Sequence, residues 1–398
     1  MAFQALPGFR DFYPEEMALR RHVEQAWHAA ARAAGYEEIE GPPLESLELL
    51  KAKSGEAIVE ELYAFTDKGG REVALRAELT PTVARMIAAR ANALRKPVKW
   101  YAVPQLFRYQ RQQRGRLREH IQWNVDVFGA SEVGADAEAL AVALDALARL
   151  GLGPTDVCVR ASHKALAERK LRELGCEDLE AGLRLIDKDL LDAEHAKGVL
   201  EARALDELVR WLDDPATPPE LDELRAALED YGVAPYLVVD KRIVRGLAYY
   251  TGLVWEIFDR KRKLRAVAGG GRYDTLVERL GGAPMPALGF GMGDVVLSEL
   301  LKDLGRAPPA PPRIDVLVVP IGEEMMAVAR QVVRRLRAAG ERAEAPFAPM
   351  KVGKAMKAGE QAGAKRVVLV GPDEWKDGRV KVKDLATGEE HARDVDRL

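Results

Sequence analysis

Apolar residues in the stretch 14–34 recur at helical spacing: Val23, Trp27, Ala30 and Ala34 fall on one side, with charges between them. The spacing predicts an amphipathic helix. Pro14 suits its first turn, where a missing N–H is no loss, and Gly35 suits the cap at its end. GYEEIEGPPLES follows as an extended segment closed by Pro42 and Pro43. Short β-branched or aromatic runs at 72–76, 98–103, 121–128, 252–258 and 264–268 predict strands. Their wide separation favours an antiparallel sheet over a series of βαβ units. Residues 160–235 change character: Leu, Ala, Glu and Arg dominate, the helical pattern repeats, and DDPATPPE at 213–220 interrupts it. That stretch reads as a helical insertion, leaving 1–159 and 236–304 to form the core. GRAPPAPPR at 305–313 holds four prolines in nine residues and predicts a semi-rigid polyproline II spacer. Beyond it, IDVLVVP reads as a buried strand, 322–340 as a helix, and VGKAMKAGEQAGAKRVVLVG as helix, turn and strand. Residues 314–398 therefore read as a small separate α/β domain. The fold class expected for the whole is α+β.

Composition narrows the function classes. The chain of 398 residues is 47% hydrophobic and 31% charged, an ordinary balance for a soluble globular protein. No stretch approaches the length of apolar sequence needed to span a bilayer, so no membrane association is expected. MAFQALPGFRDFYPEE lacks the basic and apolar regions of a signal peptide, and a cytoplasmic location is expected. The two cysteines, Cys158 and Cys176, read as buried thiols in a reducing compartment. Six scattered histidines form no metal-ligand pattern, and no protein metal site is expected. A net charge of −3 does not suit a dedicated non-specific DNA binder, but local basic patches can still hold RNA.

Four segments carry residue types suited to chemistry. PQLFRYQRQQRGRLREHIQWNVDVFG (104–129) places Arg108 at a strand end, then a loop with Arg111, Arg114, Arg116 and Arg118. So many guanidiniums in one hairpin loop can hold polyphosphate or an RNA end. A solvated basic turn is the plainer reading, with about equal claim. RIVRGLAYYTGLVWEIF (242–258) sets Gly246 beside Arg245, ahead of Tyr249 and Tyr250; taken alone it reads as a strand with aromatic packing. AVAGGGRYDTLVERLGG (266–282) lets backbone approach a ligand, yet it fails as a dinucleotide fingerprint and reads more simply as a tight turn. REVALRAELTPTVARMI (71–87) places Glu78 and Thr80 between a strand and a helix, where a carboxylate suits the helix dipole.

Taken in order, these segments resemble the class II aminoacyl-tRNA synthetases, and the histidine-specific family most closely. GYEEIEGPPLES resembles motif 1, the dimer-forming element, and LFRYQRQQRGRLREHIQWNVDVFG resembles motif 2. IVRGLAYYTGLVWE and GGGRYDTLVERLGG resemble the two signature peptides of the histidine family, and PALGFGMGDVVL (286–297) resembles motif 3. Residues 314–398 are similar to that family's anticodon-binding domain. The resemblance implies a class II antiparallel-sheet catalytic core, a homodimer, and L-histidine, ATP, Mg2+ and histidine tRNA as partners. It implies that Glu78, Thr80 and Gln122 hold the α-amino group of histidine, with Leu79 in the same segment counted to the site. Asp126 and Tyr250 would address the imidazole, with Tyr249 and Tyr273 lining the pocket. Arg108 would bridge the histidine carboxylate and the α-phosphate, and Arg245 would approach that phosphate from the other side. Gln110 and Arg116 would join these two arginines on ATP. The loop from Arg111 to Arg118 would guide the acceptor end of tRNA, and Lys351, Lys354 and Lys357 would meet the anticodon.

Three positions depart from the family pattern. Gln110 stands where motif 2 commonly has glutamate, so it would meet adenine without charge. Val296 stands where motif 3 commonly has the arginine that takes the γ-phosphate, and Arg114 or Arg116 is the expected substitute. Asp126 replaces a longer glutamate, so its imidazole contact would run through a water. These departures leave a second reading: a paralogue without ligase activity that serves as regulatory subunit of ATP phosphoribosyltransferase in histidine biosynthesis. The C-terminal domain, Arg108 and Arg245 argue for the ligase.

Overall fold

A computed structural model describes residues 3–54, 56–245 and 249–398; Gly246 lies outside the described residues. The chain divides into two compact units, Met1–Pro308 and Pro309–Leu398, with the boundary inside the proline-rich stretch.

The first unit is built on a nine-stranded sheet. Six strands form its antiparallel centre, in the spatial order Val98–Ala102, Glu119–Phe128, Ala287–Gly293, Ala268–Arg272, Leu253–Asp259 and Val157–His163. Glu37–Glu38 and Leu237–Val239 add short parallel edges, and Gln105–Phe107 pairs with the start of Glu119–Phe128. Side chains alternate between the two faces of a strand. In Glu119–Phe128 the odd positions Ile121, Trp123, Val125 and Val127 join the main core, with Trp27 of the helix Pro14–Ala33 stacked on Trp123 at 6.2 Å. The even positions Gln122, Asn124 and Asp126 are thereby turned to the opposite face. That alternation places three polar side chains side by side over the sheet.

Three central strands differ from the sequence pattern; one, Ala287–Gly293, was not among those expected. The strand expected at 264–268 instead runs Ala268–Arg272, through the glycine run read as a turn. Close packing explains it: a Cβ at Gly270 would stand 2.6 Å from the Cβ of Phe290 and 3.0 Å from its Cα, so only glycine fits there. The segment from 160, expected to be helical, begins as the end of the sheet strand Val157–His163. Helices Lys164–Glu173, Leu179–Asp187 and Ala202–Asp213 follow around their own apolar clusters. The helix Asp222–Asp230 instead sends Leu224 and Leu228 into the main core.

A smaller sheet of Leu44–Ser46, Glu72–Leu75 and Ala64–Thr66 delivers the chain through Glu78 into the helix Thr80–Arg90. Arg76, nearly buried, fixes this passage by donating to Glu40 at 2.6 Å, to the Gly41 carbonyl at 2.6 Å and to the Gln105 carbonyl at 3.1 Å.

In the second unit, a five-stranded sheet is parallel across Ala343–Glu344, Val316–Pro320 and Arg366–Val370, then antiparallel through Arg379–Asp384 and Glu390–Asp394. Val316 and Val318 share a core with the helix Met326–Ala338, while Leu317 and Val319 share one with the helix Val352–Gln361. A strand buried on both faces explains the unbroken apolar run in the sequence. Among the described residues, no helix is long and apolar enough to cross a membrane.

Candidate active site

Two cavities open on the polar face of the large sheet. The smaller, about 120 Å3, is lined by Glu78, Thr80, Tyr249, Tyr250, Tyr273 and Asn124, among others. The larger, about 230 Å3, is lined by Gln110, Arg116, His120, Glu256, Arg265 and Val296, among others. Arg108, Gln122, Arg245, Gly269 and Gly291 line both, so the two are neighbours with the two arginines at their junction.

Backbone glycines make the room. A Cβ at Gly269 would collide with the Arg245 guanidinium, and one at Gly291 would stand 2.5 Å from the Gln122 amide nitrogen. The glycines thus allow polar side chains from neighbouring strands to lie flat across the sheet.

Arg108 donates from Nε to the Ala77 carbonyl at 3.0 Å, which ties its stem to the segment carrying Glu78 and leaves the rest of its guanidinium for the cavities. Arg245 adopts a left-handed backbone, φ 47°, a strained conformation for a residue with a Cβ. Its guanidinium lies 5.4 Å from the centroid of the Tyr250 ring and 3.4 Å from Glu256, and its buried Nε has no hydrogen-bond partner among the described residues. A cation held with unused donors in a cavity is suited to an anionic ligand.

The aromatic wall is tight. The Tyr249 and Tyr250 ring centroids are 4.5 Å apart, and Tyr273 stands 5.8 Å from the first and 6.4 Å from the second. Tyr273 donates its hydroxyl proton to Asp126, and burial with that carboxylate raises its pKa well above the ordinary phenol value. Asp126 itself is nearly buried and does not line either cavity; Tyr273 stands between. Leu79 does not line them either: its side chain is wholly buried against Val83, Ala84 and Ile87. Glu78, Thr80, Gln122, Tyr249, Tyr250 and Tyr273 do come together there, as do Gln110 and Arg116 in the larger cavity.

Arg114 does not take the place of the motif 3 arginine. It turns outward to Glu299 at 3.2 Å and Asp303 at 2.8 Å and takes no part in the cavity wall. Two carboxylates on the helix Asp294–Asp303 are nearer than the cavity and hold it there.

Several supporting residues escaped the sequence reading. His120 Nε2 lies 3.2 Å from Gln122 Oε1, and Gln122 Nε2 donates to Asn124 at 3.0 Å. Burial, reinforced by the nearby Arg108 charge, pulls His120 down to about 3, so its ring is neutral and donates to Gln122. The alternation of the strand was the signal that could have found Asn124, two residues from Gln122 on the same face. Gln110 donates to Glu61 at 2.5 Å, which places a carboxylate beside the amide that replaces the motif 2 glutamate. Asp294 accepts from Arg10 at 2.9 Å and from the Ile121 N–H at 2.9 Å, and Glu119 also accepts from Arg10, at 2.7 Å. These two buried carboxylates, joined through half-buried Arg10, pin the strand carrying Gln122 to the helix behind Val296.

The family model for histidyl-tRNA synthetase matches residues 8–208 and 164–294, and that for an anticodon binding domain matches 315–398. The chain is 41% identical to a histidine–tRNA ligase of Opitutus terrae, over 97% of this chain and 94% of that one. It is 41% identical to the histidine–tRNA ligase of Natronomonas pharaonis, over 98% and 95%. The fold matches the crystal structure of a histidyl-tRNA synthetase from Nostoc sp. PCC 7120 with a TM-score of 0.82 at 23% identity, covering 100% of this chain and 98% of that one. By family model, near full-length identity and fold, this chain belongs to the histidyl-tRNA synthetase family.

Proposed function

We propose that this chain activates L-histidine with ATP and transfers the histidyl group to the 3′ end of histidine tRNA. One observation carries the reading: Arg108 and Arg245 line both cavities, at the junction where an amino-acid carboxylate in the smaller would meet a triphosphate in the larger. The relatives that match nearly the whole chain are named as ligases, and the regulatory reading is not favoured.

Activation brings a carboxylate against the α-phosphorus of a polyanion, so two like charges must approach. Guanidiniums fixed at the junction lower that cost and stabilise charge on the non-bridging oxygens. Holding the reactants in line supplies much of the remaining acceleration. Glu78 and Thr80 hold the α-amino group with Gln122, whose amide is set by His120 and Asn124. Tyr250 and the Asp126-bound Tyr273 hydroxyl address the imidazole, so that ligands lacking its nitrogens leave buried groups unpaired. Gln110, beside Glu61, meets the adenine amino group. Mg2+ neutralises charge on the phosphates when bound. Glu256, the one carboxylate on the wall of the larger cavity among the described residues, fits a share in holding it.

In the second step the terminal ribose hydroxyl of tRNA attacks the adenylate, with the 111–118 loop guiding the acceptor end. Lys351, Lys354 and Lys357 stand exposed at and along the helix Val352–Gln361 and face the anticodon in this reading. The working form is a cytoplasmic homodimer. Charging of a histidine tRNA transcript with labelled histidine tests the whole: the account expects ATP-dependent charging of that tRNA alone. Failure to charge it, by protein that unfolds cooperatively, contradicts the account.

A further inference from the structure

We infer that Arg265, acting with Arg116, grips the terminal phosphates of ATP at the far end of the larger cavity; the inference rests on the ATP reading of that cavity. Arg108 and Arg245 stand where the two cavities join, which in the ATP reading is where the α-phosphate would react. Arg116, Arg265 and Val296 line only the larger. At that end the helix Asp294–Asp303 offers valine, which brings no charge to a polyanion.

The geometry there is close. Gly115, at φ +79° in the basic loop, brings its backbone against both neighbours: a Cβ on it would lie 3.2 Å from Val296 Cγ2 and 3.8 Å from Arg265 Cδ. Arg265 lies in the segment just before the strand Ala268–Arg272, and it lines the cavity wall together with Val296. Like charge faces like charge here. Burial first, then Arg265 and Arg108, lower the pKa of Arg116.

Three further guanidiniums of these segments are engaged elsewhere. Arg114 is held by Glu299 and Asp303, Arg118 lies 4.2 Å from the Tyr109 ring, and Arg262 lies 4.7 Å from the Phe258 ring. Among the described residues, the side chains of Arg116 and Arg265 have neither a hydrogen bond nor an ion pair. Two neighbouring guanidiniums with one carboxylate, Glu256, on the same wall are unfavourable in an empty cavity. A triphosphate relieves that repulsion and takes both forks.

The test compares Arg265→Ala, Arg265→Lys and a neighbouring surface control, Lys263→Ala, in histidine-dependent pyrophosphate exchange and in direct binding of ATP and AMP. Arg265→Ala is expected to raise the KM for ATP about 10- to 100-fold, the loss typical of a charge-assisted hydrogen bond. The KM for histidine and the affinity for AMP, which lacks the terminal phosphates, should stay within about twofold. Arg265→Lys should recover part of the loss, and Lys263→Ala should match the wild type. An unchanged ATP KM in Arg265→Ala, or equal weakening of ATP and AMP, overturns the assignment while leaving the ATP reading in place. A wild-type chain that neither binds ATP nor exchanges pyrophosphate overturns both.

Discussion

Arg245 and Gly269 constrain each other, because the guanidinium lies where any larger residue at 269 would place its Cβ. Gly269→Ala is therefore expected to displace a flexible side-chain end and little else. Its melting temperature should stay within a few degrees of wild type while exchange falls about 100-fold, as for a mispositioned catalytic group. Arg245→Ala should fall about as far in kcat/KM, by about 100- to 1,000-fold, with the fold intact by circular dichroism. Near-wild-type exchange in either variant contradicts the placement of Arg245. His120 gives a pH signature. Its folded pKa is about 3, below the ordinary 6.5, so its contribution to stability is present above 6.5 and is lost as pH falls toward 3, because the unfolded chain takes a proton that the folded site refuses. By about pH 5 the loss is about 2 kcal/mol, and His120→Gln should lose correspondingly less between about pH 7.5 and about pH 5 in denaturant titrations. Equal declines in both proteins contradict the neutral, half-buried ring. At this scale the sequence was most legible where ordered motifs named residue types. Glu78, Thr80, Gln122 and the three tyrosines meet in one cavity. It was least legible where function hides in ordinary composition. Arg265 falls in the run 264–268, expected only as a strand, and Asp294 lies inside the motif 3-like segment with nothing in the sequence to set it apart.

Among the elements, the strand Glu119–Phe128 carries most of the design. One face builds the core while the other presents Gln122 and Asn124 to the site. Its position depends on Asp294, a buried carboxylate raised by burial and held down by Arg10. Removing it in Asp294→Ala leaves the Ile121 N–H and one end of the Arg10 guanidinium without their acceptor. Chemical denaturation should show a loss of about 2 to 4 kcal/mol, the range for breaking a buried hydrogen-bonded charge network. A loss below about 0.5 kcal/mol, ordinary for a surface change, contradicts this role. Periodicity found the helix Pro14–Ala33 and the strands Val98–Ala102, Glu119–Phe128 and Leu253–Asp259 because one buried face repeats along them, and it passed over Ala287–Gly293, three of whose seven residues are glycine. It misplaced Ala268–Arg272, because a glycine strand has no side chains to alternate. The same limit hid the end of Val157–His163, where sheet gives way directly to helix within a leucine- and alanine-rich stretch.

At the scale of the molecule, four prolines in 305–313 marked the division that falls at Pro308 and Pro309. The second unit has apolar clusters on both faces of its own sheet. A chain ending at residue 308 is expected to keep histidine-dependent exchange and to lose most of its tRNA charging; loss of both to the same degree contradicts the division of roles. The antiparallel hairpin of Arg379–Asp384 and Glu390–Asp394 was not legible, since only two positions of the first strand, Val380 and Val382, are buried and the second is exposed throughout. The central claim is that two arginines join a histidine cavity to an ATP cavity, and exchange of labelled pyrophosphate into ATP tests it most directly. The account predicts exchange that requires L-histidine and is not supported by other amino acids. No histidine-dependent exchange by pure, folded protein would contradict it.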